Sequence, residues 1–189
     1  MRLVDLEEIN PTLEENYPTT LKYQPFCDED WRVVEEQSDY IHRMRLTLPN
    51  WPEELLQEWL YRHACCMERY AFLDFARFEF TQEVWALACV PGREAFDVEK
   101  VCDDFQNIEE RAEKNTCDWL AHYMLRVGTW NTPIVLLDNS DQYHFPTGEP
   151  LKYPYHLLEG HRRLSFLNGL RNLNKALPQH IVWIAKINI

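Results

Sequence analysis

The stretch YHLLEGHRRLSF, residues 155–166, contains the pattern that decides the fold of this chain. Its first five residues are typical of a buried strand, Gly160 follows as a turn residue, and apolar side chains then recur at helical spacing from Leu164. The unpaired N–H groups in the first turn of that helix form an anion-binding position, to which Arg162 and Arg163 would add bidentate donors. The sequence therefore predicts a strand, a tight turn and a helix, with a candidate anion site at the turn.

The candidate anion site comprises Glu159, Gly160, His161, Arg162 and Arg163. Two arginines at the positive end of a helix dipole are electrostatically unfavourable, so we expect a negative group opposite them. Either the chain supplies that group, from Glu159, Asp138 or Glu149, or a bound phosphate or carboxylate supplies it. His161 could serve as a general base, but we expect a hydrogen-bonded structural role for it, and we predict no catalytic residue.

The residues on either side of the turn complete a small sheet. A short apolar run at residues 133–138 is typical of a buried strand. The helix that starts after Gly160 is broken at Pro178, and the β-branched run 180–187 predicts a last strand. Residues 128–189 are therefore predicted to form a strand–strand–helix–strand unit.

This C-terminal unit resembles the ParB/sulfiredoxin-like fold. The resemblance rests on the order of the elements, on the Gly-charged-Arg-Arg turn, on Gly169-Leu170 in the helix and on Leu177-Pro178 before the last strand. In ParB-type proteins the corresponding box is Gly-Glu-Arg-Arg and binds nucleotide phosphates, so the resemblance implies a nucleotide site at residues 160–163, with His161 in place of the glutamate. Gly160 stands where sulfiredoxin chemistry needs a cysteine, and ParB's DNA-binding helix-turn-helix has no basic counterpart here.

The residues before this unit are predicted to be mostly helical. Pro52 followed by two acidic residues is typical of a first helical turn, and apolar residues follow it at helical spacing. We predict helices over residues 53–63, 66–76, 96–114 and 117–126. The last of these has Trp119 on its apolar face and Gly128 just past its end. Residues 28–48 fit neither period cleanly, although Met44 to Leu48 at their end alternate as a strand would, and residues 78–90 fit both periods.

The expected fold class is therefore α+β. A chain of 189 residues with 46% hydrophobic and 26% charged residues is long enough to bury a sizeable core and is typical of a globular protein. We expect an acidic, mostly helical region at residues 1–127, packed on the sheet unit at residues 128–189.

The charge of the chain restricts its partners. The net charge is −12, which disfavours direct binding to nucleic acid because the phosphates would be repelled. Residues 1–125 carry 27 acidic and 12 basic side chains, whereas residues 126–189 carry 4 and 7. Such an acidic region is either a solvated surface or a surface complementary to a basic protein. The candidate partner-binding residues are Glu99, Asp103, Asp104, Glu109, Glu110 and Glu113.

The cysteines predict neither disulfides nor a metal site. There are six of them, without a Cys-x-x-Cys pair, and the N-terminus lacks the apolar core of a secretion signal. We therefore expect a cytoplasmic protein whose cysteines are reduced and mostly buried, with no cofactor. No apolar run approaches the ~20 residues that span a bilayer, so no membrane partner is expected.

The common hydrolase and NTPase motifs do not occur, and three functions remain open. The leading one is a non-catalytic immunity-type protein that neutralises a basic toxin by masking its active site. A nuclease is the class of toxin that we expect first. The whole chain resembles small bacterial proteins that accompany contact-dependent toxins, on the segments 51–52, 58–59, 61–63, 128–130 and 158–162. The alternative is a protein that binds or hydrolyses nucleotides through residues 160–163, and a defence-associated scaffold is a third, less specific possibility.

Overall fold

The described part of the chain combines helices with one mixed sheet. The computed structural model describes residues 21–30, 32–63, 68–70, 72–96 and 106–188. These residues contain helices and a four-stranded sheet, which confirms the α+β class. The chain divides into two compact units, Met1–Phe80 with Ile187–Ile189, and Thr81–Lys186. The sequence-based division at residue 127 is not tested by these units and stays a prediction.

The first unit, where the structure describes it, contains two longer helical segments. Helix α1 spans Gln37–Thr47, and α2 spans Glu53–Leu55 before continuing as a π-helix over Leu56–Tyr61. The predicted helix after Pro52 is therefore confirmed, and its apolar side chains are buried. The first unit also contains 3-10 turns at Leu21–Tyr23, Glu68–Tyr70 and Phe75–Arg77.

Two predictions in the first unit are wrong. Met44 lies in α1 and not in a strand. Met44 and Leu48 are both buried and four residues apart, which is one helical turn, whereas Leu46 between them is 78% exposed. The predicted helix at 66–76 is not continuous in its described part, because Asp74 accepts a hydrogen bond from the N–H of Ala76 and caps a new turn there.

Aromatic side chains form the core of the first unit. The rings of Trp51, Trp59, Phe75 and Phe78 lie within 6 Å of one another in several pairs, for example 5.4 Å between the centroids of Trp51 and Trp59. The indole N–H of Trp51 donates to the carbonyl of Phe75 at 2.8 Å, so this polar group is paired although it is buried.

The sheet contains four strands in the order β1-β4-β2-β3. They are β1 Phe78–Ala86, β2 Ile134–Asp138, β3 Tyr155–Glu159 and β4 Gln179–Ile187. Strand β2 is antiparallel to β3 and parallel to β4, and its first four residues are buried. The three predicted C-terminal strands are confirmed, and the ambiguous segment at 78–90 is a strand over most of its length.

In the described part of the second unit, three α-helices and a 3-10 turn at Arg93–Ala95 accompany the sheet. The α-helices are α3 Ile108–Lys114, α4 Trp119–Val127 and α5 His161–Asn172. Helix α4 ends at Gly128 as predicted, but Trp119 at its start is 61% exposed, so the prediction that this side chain lies on the apolar face is wrong. The buried face of α4 consists of Leu120, Ala121 and Met124. Residues 97–105 of the predicted helix at 96–114 lie outside the described residues.

Helix α5 packs closely against residues 106–108 at Gly169. A Cβ added to Gly169 would lie 2.1 Å from the carbonyl oxygen of Gln106, so only glycine allows the helix to contact residues 106–108. The core around α5 includes Phe166 and Leu170 from the helix and Leu136 and Ile184 from the sheet.

The described cysteines contradict the expectation of burial. Cys27, Cys89 and Cys117 are free and exposed, because Cys27 lies in a short bridge at the surface and the other two lie in turns. The other three cysteines lie outside the described residues. No helix in the described ranges is both long and apolar enough to cross a bilayer.

Candidate functional site

The turn between β3 and α5 has the predicted form. Gly160 has φ 100° and ψ 25°, the left-handed region in which glycine is favoured. A Cβ at this position would also lie 2.6 Å from Cγ2 of Ile134 on β2. The turn therefore needs glycine both for its backbone angles and for its packing against the sheet.

Arg163 points into the protein and is paired there. Its guanidinium donates to the carbonyl of Thr132 at 2.8 Å and to that of Pro133 at 3.1 Å, and it forms an ion pair with Glu159. The side chains of Arg163 and Glu159 are only 11% and 13% exposed. The expectation that Glu159 faces an arginine of the turn is confirmed. Arg163 thereby fixes the start of α5 to the entry of β2.

Arg162 has a partner that the sequence analysis did not find. One of its Nη atoms lies 2.8 Å from both carboxylate oxygens of Asp118, whose side chain is 2% exposed. Asp138 pairs with Lys186 and Ser140 instead, and Glu149 is exposed in the loop between β2 and β3. Of the three internal carboxylates that the sequence offered, Glu159 is thus the one that pairs with an arginine of the turn, and the carboxylate at Arg162 is Asp118.

Asp118 joins three elements. Its carboxylate caps α4 by accepting the N–H of Ala121 at 3.3 Å, and it accepts Nε of Arg111 from α3 at 3.1 Å in addition to Arg162 from α5. Burial alone would raise the pKa of the Asp118 carboxyl, but the hydrogen bonds from Arg111 and Ala121 and the charge of Arg162 together lower this pKa below its usual value. Asp118 is therefore ionised at neutral pH and neutralises the arginines beside it.

His161 lies at the first position of α5 and is partly exposed. Its ring packs edge-on against Phe96, with centroids 6.0 Å apart, and its carbonyl accepts the hydroxyl of Ser165 at 2.8 Å. These are contacts that a structural residue makes.

The chemistry of the turn follows from its charges. Within the described residues, Arg111, Arg162 and Arg163 face the carboxylates of Asp118 and Glu159, so the chain itself largely neutralises the cluster. Arg163 is held in the interior, whereas the side chain of Arg162 is 46% exposed. An anionic ligand at this turn would therefore have to share Arg162 with Asp118.

The candidate partner-binding residues lie on α3 where the structure describes them. Glu109 forms an ion pair with Lys175 at 2.6 Å, Glu110 forms one with Lys114, and Glu113 is exposed. Glu110 is exposed as well, although it is paired. Glu99, Asp103 and Asp104 lie outside the described residues. In the described ranges no cluster of three or more His, Cys, Asp or Glu side chains could hold a metal ion.

The sequence carried one signal for Asp118. Aspartate is a preferred N-cap, and it directly precedes the apolar-periodic residues of α4. The predicted start of that helix at residue 117 placed Asp118 inside the helix and hid this role. Its pairing with Arg162, 44 residues later, depends on the packing of α4 against α5 and has no local signal.

The chain was also compared with known proteins. No family model, no curated protein and no solved structure matches it. The resemblance of residues 128–189 to the ParB/sulfiredoxin-like fold therefore stays a prediction, and the function is inferred from the residues themselves.

Proposed function

We propose that this protein is a non-catalytic, immunity-type protein of the cytoplasm that binds a basic toxin and covers its active site. The observation that carries the proposal is the state of the charges in the second unit. The arginines of the turn pair with the carboxylates of Asp118 and Glu159, which are largely buried. On α3, by contrast, Glu113 is exposed, and Glu110 is exposed in a surface pair with Lys114. This arrangement suits a protein that recognises cations better than one that recognises anions.

The charge of the whole chain supports the same partner. A net charge of −12 attracts basic proteins over distances of about a Debye length and raises their association rate. A nuclease binds a polyanion, so the surface around its active site is basic, and an acidic protein surface can occupy it in place of the phosphates. We therefore place a nuclease first among the toxins.

The Asp118 network supports a rigid binding surface. It connects the end of α3, the start of α4 and the start of α5 through charged hydrogen bonds of 2.8 to 3.3 Å. Elements that are fixed before binding lose less conformational entropy when the partner docks. The exposed residues Glu110 and Glu113 are thus presented from a fixed helix.

Native mass spectrometry of the protein purified gently from its own host tests the proposal. We expect one basic polypeptide at fixed stoichiometry, whose enzymatic activity falls when the purified chain is added. Reversing two charges with Glu110→Lys and Glu113→Lys should slow the association at least several-fold. The control, Asp141→Lys with Glu149→Lys, reverses two exposed charges in the loop between β2 and β3 and should have a smaller effect.

The proposal is abandoned if no basic polypeptide is recovered, or if the recovered polypeptide keeps its activity when the chain is bound. Equal effects of the two charge reversals would show that α3 is not part of the contact surface.

Nucleotide binding at Gly160 to Arg163 is the second candidate. It is favoured by the partial exposure of the Arg162 side chain at the turn. A nucleotide present at 100 times its Kd should stabilise the chain by about 2.7 kcal/mol, which a thermal unfolding assay detects. If a nucleotide stabilises the parent chain but not Arg162→Ala, nucleotide binding becomes the leading function. If no common nucleotide stabilises the parent chain, this function is excluded.

A further inference from the structure

A hairpin at residues 26–34, of which the structure describes 26–30 and 32–34, exposes apolar side chains that the proposed function has not yet used. The N–H of Val34 donates to the carbonyl of Phe26 at 2.9 Å, and Cys27 and Val33 form an antiparallel bridge. At its tip the side chain of Asp28 accepts the N–H groups of Asp30 and Arg32 at 3.0 and 2.9 Å. The hairpin is therefore closed by both main-chain and side-chain hydrogen bonds.

The base of the hairpin is held by Arg43 of α1. Its guanidinium donates to Glu35 and to the carbonyl of Gln24, each at about 2.9 Å, and stacks on the ring of Phe26 at 4.4 Å. The carboxylate of Glu35 in turn accepts the N–H of Phe26 at 3.0 Å. These contacts fix the hairpin to its own unit, so it is ordered before it meets a partner.

The sides of the hairpin are apolar and open to solvent. Phe26, Val33 and Val34 are 45%, 43% and 54% exposed. Because Phe26 and Val34 are paired across the hairpin, their side chains lie on one face, and Val33 lies on the other. Exposed apolar side chains that are grouped in this way mark surfaces for interaction with other proteins.

The charge of the hairpin defines the chemistry of its partner. Asp28, Glu29 and Asp30 are exposed at the tip, and Arg32 is the one basic residue in the sequence 26–34. A second copy of this chain would bring two acidic tips together, and nucleic acid would bring phosphates to them, so both are repelled. A basic protein surface with an apolar cleft is complementary to the tip and to the sides.

We propose that the 26–34 hairpin inserts into the basic cleft of the partner protein, with Phe26, Val33 and Val34 packing against its walls. This inference rests on the proposed function, because the partner is the same basic polypeptide. It assigns to the first unit a contact surface that does not include the predicted partner-binding residues on α3.

The probe for the test is the basic polypeptide recovered with the chain by native mass spectrometry. Its binding is measured by surface kinetics to the full chain, to Val33→Ser with Val34→Ser, and to the control Leu46→Ser, an exposed apolar residue of α1. We expect the hairpin variant to bind roughly tenfold more weakly or worse, mainly through faster dissociation, and the control to bind as the parent does.

A second variant tests the tip without altering the apolar sides. Glu29→Gln with Asp30→Asn should slow association more than Asp141→Asn with Glu149→Gln, which removes the same number of charges from another exposed loop. If both hairpin variants bind the polypeptide as the parent does, the hairpin proposal is overturned and the proposed function stands. If no basic polypeptide is recovered from the host, both are overturned.

Discussion

At the scale of single residues, Asp118 has two separable roles. It caps α4 through Ala121, and it neutralises Arg111 and Arg162. Asparagine can keep the cap while it removes the charge, whereas alanine removes both. We predict that Asp118→Asn lowers the free energy of unfolding by about 2 kcal/mol and that Asp118→Ala lowers it by about 1 kcal/mol more. Urea unfolding at neutral pH measures both values.

The pH dependence of Asp118→Asn supplies the control for this prediction. The pKa of Asp118 is lowered in the folded state, so its contribution is present above the pKa of the unfolded chain, near ~3.9, and is lost as the pH falls through the folded value. The parent and Asp118→Asn should therefore converge in stability at acidic pH. Equal losses for both substitutions at pH 7 would show that the charge alone matters, and an unchanged stability of Asp118→Asn would show that the cap alone matters.

His180 is a second buried titratable residue, with a different pH window. It is 2% exposed, its Nε2 donates to the carbonyl of Leu177 at 2.9 Å, and its Nδ1 lies 2.8 Å from the hydroxyl of Thr129. Burial lowers the pKa of His180, which the hydrogen bond to Leu177 opposes, and the charge of Arg171 lowers it further. The folded state therefore favours the neutral ring.

From this we predict that the chain loses stability as the pH falls from about 6.5 through the folded pKa of His180, because the unfolded chain takes up the proton first. Thermal unfolding between pH 7.5 and pH 5 measures the loss. His180→Asn should be less stable at pH 7.5 but should lose less in this window. A parallel loss in the parent and in the variant would mean that other groups cause the dependence.

At the scale of elements, the contact of α5 with residues 106–108 depends on Gly169. An alanine there would place its Cβ 2.1 Å from the carbonyl oxygen of Gln106, so the helix or the loop must move. We predict that Gly169→Ala lowers the free energy of unfolding by about 2 kcal/mol, although alanine is the better helix former by ~1 kcal/mol. Asn172→Ala on the exposed side of the same helix is the control and should be neutral or stabilising. Denaturant unfolding compares them.

The elements that the sequence predicted well are those with strong local signals. Gly160 and Pro178 lie on either side of α5, whose apolar side chains recur at helical spacing. Strand β2 is a continuous apolar run because it is buried on both faces, and such a run is visible in a short window.

Met44 to Leu48 misled because the apolar residues Met44, Leu46 and Leu48 alternate with polar ones, which is typical of a strand. In the structure Met44 and Leu48 are one helical turn apart and buried, and Leu46 between them is an exposed apolar residue. Trp119 misled because it precedes Tyr123 by four residues, which is helical spacing. It lies in the first turn of α4, however, and is exposed there.

The candidate site was only half predictable for a related reason. Glu159 and Arg163 are four residues apart at the start of α5, so their pairing is local. Asp118 and Arg162 meet only because α4 packs against α5, and the base of the hairpin at 26–34 is held by Arg43 from α1. Neither feature is encoded in the spacing of the residues that form it.

At the scale of the whole molecule, the net charge of −12 should control how fast the partner binds. Raising the ionic strength from 0.01 to 0.15 M shortens the Debye length from roughly 30 to 8 Å, which screens the long-range attraction but not contacts inside the interface. We predict that the association rate of the basic polypeptide falls at least tenfold over this range, and that its dissociation rate changes much less. Stopped-flow fluorescence at several salt concentrations measures the association rate.

The variant Val33→Ser with Val34→Ser separates the charge of the molecule from the shape of the hairpin. It carries the same net charge as the parent, so its association rate should depend on salt with the same slope, while its dissociation is faster at every salt concentration. A chain that associates at the same rate in low and high salt would contradict an electrostatic partner. A variant with an altered slope and unchanged dissociation would show that the two valines affect the approach of the partner and are not buried against it.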